Sequence, residues 1–515
     1  MKMMKEKWFA FVNKISFVGE GIFSLLLAIS VFELFTTKFY QGYFSKPYLI
    51  FSILLAIIVI EWMVYNTKKS KKKLEKLFLT FMIPIGMFYL VFMLPTYAPD
   101  ESAHIWRIYD FSEGHIFAQQ DEEGNSIGTN VPEELIEAKQ ETLNSYAKLK
   151  EMLARGGNSG ETVNVISPAQ AYPFVLYLPA AIVFGIVRLC HIPILWGLYL
   201  AKLANFVIFL AGGYYAIKKI PFGKYILLAC LFLPMVLQQA VSLSADSIIN
   251  TGLFVYIAYT IALVFQKEKI TKKQLFGYSL LILFVSLAKM AYVPMIGLGF
   301  MLIFSKQMTK KEKIAIFGVG TLICIILVGV NYIYSTTLVN PSAQTYYEAQ
   351  NVNGTEQIKG VLSNPISFVK VLKNTIDVYG ESYLFGMIAS PLGWLDIVVS
   401  PLITIAFLVL VIFSSMIENN EVAFSRKQKI WNFLIVVGTA LLIIGAMYIS
   451  WTGVGAEVVE GVQGRYFIPL LPLLLLCVSM KQNYIKWNHV HLWLQIVLVL
   501  LNGITLNTIF QHFLV

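Results

Sequence analysis

Thirteen stretches of this chain are apolar over lengths that approach or reach a bilayer crossing, and no other feature restricts its fold as strongly. A helix needs about 20 apolar residues to span the hydrocarbon core. Runs on that scale lie at 16–36, 48–65, 77–95, 196–217, 225–243, 247–265, 275–289, 291–305, 314–336, 397–416, 430–450, 465–480 and 491–511. Residues of types AVILMFWYC make up 57% of the sequence and charged ones 14%, with a mean hydropathy of +0.68. A water-soluble domain carries far more charge. The sequence therefore predicts an all-α integral membrane protein.

The formal net charge of +10 does not indicate nucleic acid, because the basic residues sit in short runs between apolar segments, as in cytoplasmic loops facing anionic lipid. Cys190, Cys230, Cys324 and Cys477 lie in or beside apolar runs without CxxC spacing, so neither a disulfide framework nor a zinc site is suggested. The N-terminal MKMMKEKWFAFVNK precedes an apolar run with no small-residue cleavage pattern, which reads as a retained anchor with its N-terminus inside. There is no internal repeat, no Gly-rich nucleotide loop and no large cytoplasmic domain to hold ATP.

One further apolar stretch, AYPFVLYLPAAIVFGIVRLC at 171–190, decides the orientation of everything after it. If it does not cross, the N-terminus and the loops at 66–76, 218–224, 267–273, 306–313, 418–429 and 481–486 share the cytoplasmic side, with 26 of the 40 Lys and Arg. If it crosses, the last five loops, with 16 basic residues, move outside against the positive-inside bias. The segment is therefore read as interfacial or re-entrant, broken by Pro173 and Pro179. The same parity puts loops at 96–170, 337–396 and 451–464 outside, and most of 119–161 is expected to be a solvated cap with a short helical pattern.

The first outer loop begins with an unusual run of ionisable groups. In PDESAHIWRIYDFSEGH, residues Asp100, His104, Arg107 and Phe111 fall on one helical face, with Glu101 at its edge. Ile105, Trp106, Ile108 and Tyr109 suit a helix lying at the headgroups. Its acids could simply complement a helix N-terminus. Three further segments place costly polar groups at the same predicted face. Asp246 lies in SLSADSIIN, where capping is the plainer reading. Lys289 lies in SLAKMAYVP, where snorkelling is the plainer reading. Arg465 opens the re-entry in GVQGRYFIPLLP and suits bidentate phosphate contact, beside Tyr466.

The blocks PDESAHIWRIYDFSEGH, SLSADSIIN, LAKMAYVP and QGRYFIPLLP, in that order, resemble those of an uncharacterised bacterial family of predicted multi-pass membrane proteins. That family in turn resembles the GT-C superfamily of lipid-linked sugar transferases. The apolar runs give a GT-C-like bundle of about 13 transmembrane helices, and parity gives the second extracytoplasmic loop at 337–396; the resemblance implies juxtamembrane helices in the first large extracytoplasmic loop (96–195) and an acidic residue there. It also implies a bacterial cell membrane location and a polyprenyl-phosphate sugar donor, with cell-wall glycan or a lipid-linked molecule as acceptor. One departure is that two spans precede the helix leading into PDE, so 1–76 reads as an added helix pair before a transmembrane domain at 77–515.

Transfer from a lipid phosphate needs a base for the acceptor hydroxyl and cations for the departing phosphate. Asp100 is the first candidate base and Glu101 the second. Arg465, Lys289 and Arg107 are candidate phosphate ligands, His104 and Asp246 line the substrate site, and Tyr466 and Trp106 offer stacking surfaces. Asp100, Glu101 and His104 together are also a ligand set for a divalent cation. The competing expectations are a transporter or flippase for a lipid-linked sugar, and a polysaccharide polymerase or ligase sharing the donor chemistry.

Overall fold

In lipid every backbone N–H and C=O must find a partner within the protein, and this chain meets that demand with helices. The computed structural model describes residues 2–39, 46–69, 73–122, 125–304, 306–337, 348–418, 422–479 and 489–514. The basic loop at 481–486 and parts of the loops at 66–76, 337–396 and 418–429 lie outside them. Among the described residues, eight helices are long and apolar enough to cross a membrane: Phe17–Thr36, Leu49–Lys69, Leu74–Phe92, Ile194–Lys219, Ala245–Phe265, Lys310–Tyr334, Arg426–Ser450 and Val490–Leu514.

The other five predicted spans form shorter pieces. The run 225–243 divides into Lys224–Leu231 and Pro234–Ala240, because Pro234 holds Leu233 extended. The break exposes the Phe232 carbonyl, which accepts from Asn502 Nδ2 at 2.9 Å, while Tyr89 Oη donates to Asn502 Oδ1 at 2.9 Å. Met290–Phe304 is a 3₁₀-helix of 15 residues. At about 2.0 Å per residue it extends about 30 Å, the thickness of the hydrocarbon core. Lys272–Leu287, Pro401–Ser414 and Leu470–Val478 are α-helices of 16, 14 and 9 residues.

Burial separates the centre of the bundle from its rim. Leu74–Phe92 is 78% buried and Ala245–Phe265 is 72% buried, whereas Lys310–Tyr334 is only 11% buried, so it presents its apolar side chains outward. Helix Phe17–Glu33 packs on Leu74–Phe92 and contributes Ala28 and Phe32 to the main core.

Most described residues of the stretch 119–161 are exposed or half-exposed, and a row of buried apolar side chains anchors it. Its helical pattern divides into Glu133–Glu137 and Tyr146–Ala154, with Leu135, Leu143, Tyr146, Leu149 and Met152 buried. Tyr146 Oη donates to the Phe92 carbonyl at 2.8 Å and its ring packs on Phe510 and Phe513, which pins the segment to the bundle. A two-stranded antiparallel sheet, Thr129–Pro132 with Thr162–Val165, closes the loop, Val131 facing Val163 in register. The stretch 171–190 forms a 3₁₀ turn at Phe174–Leu176 and a helix Leu178–Leu189. Twelve residues reach about 18 Å, well short of the hydrocarbon thickness. This helix packs against Glu101–Ser112 and Ile194–Lys219.

Candidate functional site

Two turns bring the ionisable groups together. At the first, the chain leaves Leu74–Phe92 and reverses with Thr96 at φ 69° and Asp100 at φ 64°. Asp100 precedes Glu101–Ser112, yet its side chain caps nothing; the left-handed backbone, costing about 1–3 kcal/mol, turns it off the helical face predicted from spacing. At the second, Ser244 caps Ala245–Phe265 by accepting from the Asp246 N–H at 3.3 Å, which releases the Asp246 carboxylate for other partners.

Those partners are cations from two distant segments. Lys289 Nζ donates to Asp246 Oδ1 at 2.6 Å. Arg465 Nη1 lies 3.8 Å from Asp246 Oδ2 and donates to the Pro99 carbonyl at 3.2 Å. Arg465 Nη2 donates to Asp100 Oδ2 at 3.0 Å across 365 positions of sequence. Asp246 and Arg465 are nearly enclosed, with 6% and 4% of their side chains exposed, while Asp100 remains 57% exposed. The carboxylate on the open side of the network is thus Asp100. Tyr466 holds its ring 4.7 Å from Lys289 Nζ and 5.2 Å from the Arg465 guanidinium carbon, within cation–π range.

Gly464 sets the position of Arg465. A Cβ there would lie 2.4 Å from the Tyr383 carbonyl oxygen and 2.6 Å from the Gly386 carbonyl carbon, so only glycine lets this turn approach the end of Pro365–Ile388.

His104 is buried beside the network. Its Nδ1 is 2.5 Å from Tyr177 Oη, and its ring lies against Tyr172 at 5.3 Å between centroids. Burial disfavours its imidazolium and pulls the pKa from 6.5 down to about 4, against the opposing influence of the Asp246 carboxylate. The unfolded chain therefore takes up this proton near pH 6.5 and the folded chain only near pH 4, so His104 costs the fold stability as pH falls through that window. Unfolding of the purified protein in detergent should show that loss between pH 6.5 and about 4, and His104→Gln should flatten it. An unchanged slope in the variant would assign the loss to other groups.

Three sequence candidates have other positions. Glu101 is turned inward and 1% exposed, with Oε2 accepting from the Ala98 N–H at 3.0 Å and Oε1 from the Leu243 N–H at 2.6 Å. It ties the two turns to each other. Burial pushes its carboxyl pKa up, while Lys202 and the backbone donors pull it down. Arg107 pairs with Asp110 and donates to the Ile116 carbonyl at 3.1 Å, with Phe111 stacked 3.9 Å away, so it braces the end of its helix instead of joining the cations. Trp106 lies under Lys139, 5.1 Å from Nζ. Among the described residues no three His, Cys, Asp or Glu side chains form a group able to hold a metal ion, so Asp100, Glu101 and His104 do not assemble as one.

Tyr172, Tyr292 and Lys202 also support the site, although helical spacing does not single them out. Tyr292 Oη donates to the Tyr466 carbonyl at 2.9 Å, and Tyr172 lies 5.9 Å from Lys289 Nζ. Lys202 Nζ donates to the Met93 carbonyl at 2.7 Å, bracing the chain before the Asp100 turn. A lone lysine inside an apolar run was the signal available for it.

Beside the network is a cavity of about 280 Å³ bounded by Tyr172, Lys289, Tyr292, Asn331, Met447 and Tyr466. It meets, at Met290, an apolar groove of about 820 Å³ between Met290–Phe304, Gly320–Thr337 and Arg426–Ser450. Asp100 and Arg465 do not line this cavity; Arg465 borders a separate small void with Pro99.

These features define a multi-pass helical membrane protein whose ion-paired polar site adjoins an apolar groove. Residues 83–474 match the model of the predicted membrane protein family DUF2142, and the chain belongs to that family. No curated protein and no solved structure matches the chain.

Proposed function

We propose that this protein is a membrane glycosyltransferase of GT-C type that moves a sugar from a polyprenyl-phosphate donor to an extracytoplasmic cell-wall glycan or lipid-linked acceptor. The observation that carries the reading is the Asp100, Arg465, Asp246 and Lys289 network beside a cavity that opens into an apolar groove. A lipid phosphate has the complementary shape, one anionic head and one apolar chain. In this reading the chain crosses the bilayer about thirteen times, with the N-terminus cytoplasmic and the network at the outer face of a bacterial membrane.

Lys289, which lines the cavity, binds the donor phosphate, the enclosed Arg465 adds positive charge from behind it, and Asp246 holds both cations in place. The acceptor hydroxyl oxygen attacks the anomeric carbon, the bond from that carbon to the phosphate oxygen breaks, and its electron pair leaves with the phosphate. Asp100 takes the hydroxyl proton. Glu101 and Arg107 serve as scaffold. The positive charges stabilise the phosphate as its charge grows, which is the interaction that must strengthen in the transition state.

Purified protein in liposomes containing radiolabelled polyprenyl-phosphate sugars should transfer label to added cell-wall glycan. Binding of the donor without transfer, accompanied by its movement between leaflets, would replace the transferase with a flippase. Topology gives an independent check. In a chain lacking Cys190, Cys230, Cys324 and Cys477, a cysteine placed at Gly157 should react with a membrane-impermeant maleimide in intact cells, and one at Thr271 should not. External labelling at Thr271 would overturn the orientation.

A further inference from the structure

We propose that the groove between helices Phe17–Glu33, Leu74–Phe92 and Ile194–Lys219 binds one anionic glycerophospholipid of the surrounding bilayer. This site is separate from the ion-paired network and does not depend on the transferase reading. The groove encloses about 660 Å³, and its walls include Val18, Ile22, Leu79, Ile83, Val207 and Ala211. Val18, Ile22 and Val207 remain exposed, so protein leaves this surface uncovered.

One end of the groove is basic and aromatic. Lys76, Tyr214 and Tyr215 line it there, and Lys218 and Lys219 lie over the two tyrosine rings, each 5.7 Å from a centroid. All three lysines are exposed. The opposite end is formed by Leu25, Met87 and Leu203. From position 76 to position 87 the wall of helix Leu74–Phe92 rises about 16 Å, half of the roughly 30 Å hydrocarbon core. The groove therefore has the length of a single leaflet, with its positive charge at one end and apolar surface over the rest. A second transmembrane helix would cover the apolar part but leave three lysines without a counter-charge. A phospholipid with an anionic headgroup supplies both, its phosphate meeting the lysines and one acyl chain filling the groove.

Native mass spectrometry of the full chain in mixed micelles, titrated with phosphatidylglycerol or phosphatidylcholine of identical acyl chains, tests the site. One phosphatidylglycerol should be retained per chain, at least about tenfold more tightly than phosphatidylcholine. Replacing Lys76, Lys218 and Lys219 by alanine should weaken phosphatidylglycerol about fivefold for each lysine removed. Replacing all three by arginine should preserve binding, which separates loss of charge from loss of fold. Ala211→Trp, which fills an exposed position in the wall, should expel both lipids. Equal retention of the two lipids, or an unchanged preference in the triple alanine variant, would overturn the proposal. So would a dimer mass accompanied by cross-linking between cysteines placed at Val18 of two copies.

Discussion

Replacing Asp100 by asparagine should lower the rate of sugar transfer by about 100-fold or more while leaving donor binding nearly intact. Asparagine keeps the shape of the side chain and an oxygen to accept from Arg465 Nη2, which lies 3.0 Å from the native carboxylate, but it cannot take the acceptor proton. Asp100 is the carboxylate in the network with access to solvent, and its left-handed backbone holds it clear of the helix that follows. Single-turnover transfer in liposomes separates the two quantities. Full activity in Asp100→Asn with loss in Glu101→Gln would move the base to Glu101. That result would also require Glu101 to release its bonds to the Ala98 and Leu243 N–H groups. If both variants stayed active, the transferase mechanism would fail.

Replacing Asp246 by alanine should destabilise the protein by about 3–5 kcal/mol and abolish tight donor binding. Its two oxygens face Lys289 at 2.6 Å and Arg465 at 3.8 Å, and the guanidinium is almost wholly enclosed. Arginine cannot shed its charge when a partner is removed, so the variant leaves the enclosed guanidinium with the half-exposed Asp100 as its remaining carboxylate and takes from Lys289 the carboxylate it donates to. Lys289→Ala should cost less, because Asp246 keeps Arg465 and the lysine side chain is 23% exposed. Denaturant titration of the purified variants in detergent measures the order. Equal losses, or a loss below about 1 kcal/mol for Asp246→Ala, would mean that Asp246 does not organise the cations as a buried ion pair would.

The apolar runs by themselves determined the class of this protein, because a chain with so little charge has nowhere to hide its side chains but lipid. The four charges that later met were also conspicuous in the sequence: Asp100, Asp246, Lys289 and Arg465 each stand beside an apolar run, where an ion is costly without a partner. Which ion would pair with which was decided only in three dimensions. Helical spacing put Asp100 and Arg107 on one face, but the helix begins at Glu101 and the positive φ of Asp100 swings it away toward Arg465. Arg107 stayed with the helix and found Asp110 three residues on, a local contact that periodicity could have supplied. Glu101 is adjacent to Asp100 in sequence yet points into the core, where it accepts from two backbone N–H groups, one of them 142 positions away. Gly464 reads as an ordinary turn residue until the backbone of Gly386 and Met387 closes against it. Composition and spacing report what each residue needs from its surroundings; the packing of distant turns determines which neighbour meets that need, since contacts across hundreds of positions leave no period in the chain.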